Sequence, residues 1–327
     1  MDNRFHLQRL PIVAIEEVFK LMNPFEIMQF ARISKKSKQL VKFVTKFLRF
    51  KTSLFIDDQI VFVIQFRYPN YCTKYHYNVI LNREGQGTVE YTEIENGSLY
   101  DQLEYSKGLE EMKKVVDFAN ECLNLEMDRF TLDLNQFPGK NHEITNWLKS
   151  LNRPMQSIRL RGKDVSHEDV TYCLAHLSTK DWKICVETKN NQPVKVPKPL
   201  DCLQIWCAKW VTLEHLLEFD TVQLKIWDGI LKIDELKVFL EKFKNLECRD
   251  NLKMFSYKVK NRDDFAAVIE DIKNEFVDPE KRLKIENIDE VRQPAVNMKC
   301  RDGTIATMYL RVNQDDPVFE MRRYAVE

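Results

Sequence analysis

The spacing of apolar residues changes near position 50 and again near 125. Between residues 11 and 48 they recur every three or four positions, as on helices; from 53 to 94 they alternate, as on strands; later, short alternating runs are separated by helical stretches. Ile12, Ile15, Val18, Phe19 and Met22 form one apolar side of a first helix. Pro11 opens it, where its missing N–H costs nothing. Asn23 ends this helix and can cap a second, with Pro24 in the first turn and Glu26, three residues on, completing a capping box. Ile27, Met28, Phe30 and Ala31 carry that helix's apolar side. Ser34 can cap a third helix, burying Leu40, Val41, Val44, Phe47 and Leu48.

The alternating runs Ser53–Ile56, Gln59–Phe66, Tyr75–Leu81 and Gly87–Ile94 predict strands, with a flexible corner at Gly85-Gln86-Gly87. A helix is predicted over Leu109–Leu125. Strand-like runs then centre on Leu132, Ile158, Ile184, Ile205 and Ile226, offset by 26, 26, 21 and 21 residues. That spacing suits strand–helix repeats of the leucine-rich type, which run ~20–29 residues, although their Leu and Asn ladder is missing. Helices are predicted between them at His142–Leu151, Glu168–Leu177, Leu213–Phe219 and Asp234–Phe243; Pro193, Pro197 and Pro199 forbid one between Asn190 and Pro199. A last helix over Asp263–Lys273 precedes a hairpin, Val296–Cys300 with Thr304–Val312. A two-residue Asp302-Gly303 turn would pair Cys300 with Ile305 and Met298 with Thr307. The expected fold is α+β (mixed α/β): a three-helix head, then a degenerate leucine-rich-repeat-like βα body with antiparallel strands at both ends. The one boundary in the pattern lies near Phe50, giving segments 5–50 and 51–327.

Chemistry narrows the reading further. The 327 residues carry 50 basic and 50 acidic side chains, so the chain as a whole does not attract polyanions. No apolar run approaches the ~20 residues of a membrane span, and no signal peptide is expected. The eight cysteines are scattered without a Cys-x-x-Cys pair, which points to reduced thiols rather than zinc or disulfides. His167 and His176, nine apart, fall on opposite sides of their helix. No nucleophile elbow, phosphate-binding glycine loop or metalloprotease motif is present, so no catalytic residue, metal or cofactor is expected. Trp182, Trp206, Trp210 and Trp227 lie in or beside the repeat strands, either as core or as a recognition surface. Arg32, Lys35, Lys36, Lys38, Lys42, Lys46, Arg49 and Lys51 make the third helix basic, either as a solvated face or as a nucleic-acid surface.

The opening stretch resembles an F-box. The residues carrying the likeness are Leu10-Pro11, Ile15, Val18, Leu21, Pro24, Ile27, Phe30 and Ile33-Ser34-Lys35, and Met22-Asn23-Pro24-Phe25-Glu26 looks like the nematode subgroup. Ser37 stands where many F-boxes carry Trp. The remainder is similar to the type 2 F-box-associated domain, through Trp210–Glu218, Ile233–Phe243 and Arg301–Thr307. The resemblance implies a non-catalytic substrate-recognition adaptor. Leu10, Pro11, Ile15, Val18, Leu21, Pro24, Ile27, Phe30 and Ile33 would dock on a Skp-type adaptor, and through it join a cullin–RING ubiquitin ligase. The body would hold an unknown protein target, in the cytoplasm or nucleus. A nucleic-acid-binding protein using the basic third helix is the alternative.

Overall fold

A computed structural model describes residues 10–46, 48–57, 60–68, 71–81, 87–93, 103–105, 108–247, 251–259, 262–270, 296–313 and 316–324. The chain divides into two compact units, Met1–Ile158 and Arg159–Glu327. The first holds helices α1 (Ile12–Leu21), α2 (Pro24–Ile33) and α3 (Lys35–Thr45), strands β1 (Phe50–Ile56), β2 (Ile60–Tyr68), β3 (Tyr71–Leu81), β4 (Gly87–Glu93) and β5 (Leu103–Tyr105), then α4 (Gly108–Cys122), β6 (Leu125–Asp133) and α5 (Asn141–Ser150). Strand β7 (Met155–Val165) spans the division. The second unit continues with α6 (His167–His176), β8 (Asp181–Thr188), β9 (Leu200–Trp206), α7 (Leu213–Glu218), β10 (Thr221–Ile226), α8 (Ile233–Lys244), β11 (Met254–Lys258), α9 (Arg262–Glu270), β12 (Val296–Lys299), β13 (Ile305–Asn313) and β14 (Asp316–Tyr324).

In the first unit the strand order is β5-β4-β3-β2-β1-β6. Strands β1 to β5 form an antiparallel meander, and β1 also pairs parallel with β6, which the intervening α4 makes possible. Phe50, Leu54 and Ile56 of β1 are fully buried, as are Met112, Val116 and Ala119 of α4. The predicted helix to Leu125 is corrected: α4 stops at Cys122, and Leu125 begins β6, its alternating apolar residues serving the sheet. The Gly85-Gln86-Gly87 corner, Phe47 and the end of the last predicted helix beyond Glu270 lie at least partly outside the described residues.

The second unit bears out the repeat. Its strand order is β7-β8-β9-β10-β11-β14-β13-β12, in which the expected strands β8, β9 and β10 run parallel and β11, which was not expected, extends them in parallel. Each strand turns alternate side chains inward: Trp182, Ile184 and Val186 from β8, Leu203 and Ile205 from β9, Leu224 and Ile226 from β10. Helix α8 buries Leu236, Phe239, Leu240 and Phe243, and Phe239 meets Phe255 of β11, the register neighbour of Leu224, at 4.8 Å between ring centroids. The proline-rich stretch after β8 forms only a short 3-10 turn at Lys189–Asn191.

The C-terminal hairpin is present, but its register is shifted. Met298 pairs with Ala306 and Lys299 with Ile305, so the loop is one residue longer than a two-residue turn. Only Gly303 takes a positive φ, +85°, rather than both central residues. Cys300 N–H donates to Thr304 O at 2.8 Å and Gly303 N–H to Cys300 O at 3.0 Å, the pattern of a three-residue loop with a glycine bulge. The Asp302 carboxylate stabilises it by accepting from the Thr304 hydroxyl at 2.7 Å and the Thr304 N–H at 3.0 Å, with Arg323 also bonded to it. The Thr304 hydroxyl, then the Thr304 N–H and Arg323, hold the Asp302 pKa down at about 2, from 3.8. A depressed carboxylate contributes stability above its ordinary pKa and loses it as pH falls through the folded value. Urea unfolding of the wild type should therefore weaken between about pH 4 and pH 2, and Asp302→Asn should flatten part of that fall. Identical pH profiles would show that Asp302 contributes nothing.

Candidate functional site

The head builds its surface from how its helices are capped. The Glu26 N–H donates to Asn23 Oδ1 and the Asn23 N–H to Glu26 Oε2, both at 2.8 Å, closing the expected capping box with Pro24 in the first turn. Ser34 accepts from the Ser37 N–H at 3.0 Å and starts α3. These caps fold α1, α2 and α3 around Ile15, Phe19, Ile27, Met28, Ala31, Val41 and Val44, all buried. Phe19 and Phe30 meet edge to face at 5.7 Å.

What remains outside is a groove. Val18, Leu21 and Met22 line one wall, and Glu26, Gln29, Phe30 and Ile33 the other. Each wall is a helical stripe at spacings of three and four. Leu21 is 87% exposed and Ile33 73%. On the outer side of α1, Ile12 and Val13 are also exposed. Soluble surfaces carry isolated apolar residues freely, but a contiguous set on two facing stripes marks an interaction surface.

The structure thus sorts the residues expected to dock. Val18, Leu21, Phe30 and Ile33 come together in the groove. Pro11 is exposed and Leu10 half-buried at the start of α1. Ile15 (3% exposed), Ile27 (1%) and buried Pro24 face the core instead, holding the helices that shape the groove. Met22, Glu26 and Gln29 complete the lining and were not singled out from the sequence. Their signal was positional, since Met22 is four residues from Val18, and Glu26 and Gln29 precede Phe30 and Ile33 by four.

The basic third helix is partly occupied by its own unit. Lys38 and Lys42 both bind Glu121 of α4, at 2.5 and 3.1 Å, and these bonds pull the Glu121 pKa down. Arg32 lies over the Phe118 ring at 4.9 Å and Lys38 at 5.3 Å. Lys38 and Lys42 are therefore engaged in joining α3 to α4.

In the second unit the tryptophans divide. Trp182 is fully buried and Trp210 is 5% exposed, so both are core residues. Trp206 and Trp227 are half-buried and stack on each other at 4.7 Å, 5° from parallel. Among the described residues, no group of three or more His, Cys, Asp or Glu could hold a metal ion. The described cysteines are free thiols, and burial raises the Cys185 pKa to about 11. No helix among the described residues is long and apolar enough to cross a membrane.

Residues 7–49, which include the capped helices and the groove, match the family model of the F-box domain. Two curated proteins of Caenorhabditis elegans are similar to the chain. The Skn-1 dependent zygotic transcript 15 protein is 24% identical over 228 residues, covering 64% of this chain and 64% of that protein. The uncharacterised protein F59B2.9 is 23% identical over 150 residues, covering 45% of this chain and 34% of that protein. The chain therefore spans under two thirds of the length of either relative. No solved structure matches it. A head whose caps, core and sequence profile agree carries one conclusion: residues 7–49 are an F-box domain.

Proposed function

We propose that the chain is a substrate-recognition adaptor of a Skp–cullin–F-box ubiquitin ligase, with residues 5–50 docking on the Skp-type adaptor and 51–327 holding the target. The F-box supports a role in such a ligase, and the observation that carries the docking surface is the exposed groove of Val18, Leu21, Met22, Phe30 and Ile33. Burying Leu and Ile side chains as exposed as Leu21 and Ile33 is worth about 1.5–3 kcal/mol each, enough to anchor a standard interface. Ubiquitin transfer requires the target to be held near the activated ubiquitin, which is a positioning task needing no catalytic side chain on the adaptor. The scattered thiols and histidines of this chain fit that division of labour.

The body suits target binding because the sheet of the second unit has helix α8 packed on one face, while the opposite face of β8 to β10 carries half-exposed polar and aromatic side chains. The nucleic-acid reading is disfavoured by the engagement of Lys38 and Lys42 with Glu121. Mixing the purified full chain with a purified Skp-type adaptor should give one co-eluting complex on size exclusion. Separate elution at micromolar concentrations of both would overturn the proposal.

A further inference from the structure

We propose that the solvent face of β7 to β10, centred on Trp206 and Trp227, binds an acidic segment of the target protein. This rests on the reading of the body as the target-holding part.

The stacked pair follows from register. Ile205 of β9 pairs with Ile226 of β10, so the next residues, Trp206 and Trp227, stand side by side on the face opposite α8. Their 4.7 Å separation is the spacing of neighbouring strands. Neither indole N–H donates to a described residue, so both remain available to an incoming acceptor.

The charge around the pair is one-sided. Arg159 of β7 reaches over the Trp206 ring at 5.2 Å, and its Nε is buried without a hydrogen-bond partner. A buried guanidinium donor left unmet calls for an acceptor. Lys225 projects from the same face two residues before Trp227 and has no carboxylate partner among the described residues. The acids nearby each have an ion-pair partner: Asp181 with Lys183 at 3.8 Å through Oδ2, its Oδ1 being buried without a hydrogen bond, Glu187 with Lys209 at 3.7 Å and Asp228 with Lys258 at 3.9 Å. Arg159 and Lys225 are therefore positive charge beyond those matched pairs, flanking two indoles that offer N–H donors and apolar ring surface. Carboxylates are the complement of that set.

A single-stranded nucleic acid is the competing occupant, since bases stack on aromatic rings. The geometry disfavours it. Trp206 has Arg159 over its ring and Trp227 stacked on it, so successive bases cannot stack on the Trp206 ring.

The test uses the full chain at about 0.15 M salt, where exposed long-range attraction is screened. The probes are a fluorescein-labelled decapeptide of alternating Asp and Glu, a lysine decapeptide and a uridine decanucleotide, read by fluorescence anisotropy. The acidic peptide should bind best. Arg159→Glu with Lys225→Glu should weaken it at least tenfold, and Trp206→Ala about fivefold, as losses of charge-assisted and aromatic contacts do. The same charge reversal at Lys36 and Lys46 of the head should leave peptide binding unchanged. Co-elution with the Skp-type adaptor, measured on every variant, should persist, which separates failure here from failure of the ligase reading. No acidic-peptide binding, equal weakening by the Lys36 and Lys46 reversals, indifference to the Arg159 and Lys225 reversals, or tighter binding of the uridine decanucleotide would each overturn the proposal.

Discussion

Replacing both Leu21 and Ile33 with aspartate should abolish binding to a Skp-type adaptor, a loss of at least about 100-fold, while lowering the chain's unfolding midpoint only slightly, through the unfavourable placement of a carboxylate at the C-terminal ends of α1 and α2. Leu21 and Ile33 are 87% and 73% exposed, so charges there meet water in the free protein and cost the fold little. In a complex they would be desolvated without partners, and an uncompensated buried charge is among the most expensive single changes at an interface. Ile15→Asp gives the contrasting result. Ile15 is 3% exposed and packs in the head's core, so its loss should unfold α1 to α3 and abolish binding through collapse of the groove. Circular dichroism with co-elution distinguishes the two mechanisms. Wild-type affinity in the Leu21 and Ile33 double variant would remove the groove from the interface.

The second large effect is expected in the second unit, where Glu320 is a fully buried carboxylate. Its Oε2 accepts from the Tyr309 hydroxyl at 2.5 Å and lies 3.4 Å from the Arg322 guanidinium, while Arg311 approaches Oε1 at 3.1 Å. The β13–β14 register places Tyr309 opposite Glu320, so one carboxylate joins three polar groups on one side of two strands. Burial and the adjacent Glu320 push the Tyr309 phenol far above its ordinary pKa, keeping it a donor. Glu320→Ala should destabilise the protein by about 2–4 kcal/mol, because it leaves the buried Tyr309 phenol without its acceptor and takes the shared carboxylate from two guanidinium groups that are only 37% and 33% exposed. Tyr309→Phe removes one donor and should cost about 1–3 kcal/mol. Urea unfolding monitored at several wavelengths reads both. A change under ~1 kcal/mol for Glu320→Ala would mean that water already solvates the cluster.

The sequence revealed the elements better than their arrangement. The strands around Ile158, Ile184, Ile205 and Ile226 were legible because each alternates apolar with polar residues, one face buried and the other half-buried or exposed. The caps at Asn23 and Ser34 were legible because their chemistry is local. Strand order was not. β11 and β14 were missed, and β14 inserts between β11 and β13, a pairing set by contacts far apart in the chain. The hairpin register failed because Asp302 uses its side chain to hold the turn instead of taking a positive φ itself.

The groove was half legible for a specific reason. α1 carries apolar residues at 12, 13, 15, 18, 19 and 21, spread around most of its circumference. Periodicity then shows that the helix is apolar but not which side α2 and α3 will cover. Packing chose Ile15 and Phe19 for the core and left Val18 and Leu21 outside. The same choice put Ile27 inward and Phe30 and Ile33 at the groove.

Hydrogen–deuterium exchange of the full chain, with and without a purified Skp-type adaptor, tests the docking surface most directly. Adaptor binding should slow exchange across α1 and α2, from Ile12 to Ile33, and leave β8 to β10 unchanged. Slowing confined to the second unit, or none in α1 and α2 in a complex that forms, would contradict the assignment of the groove.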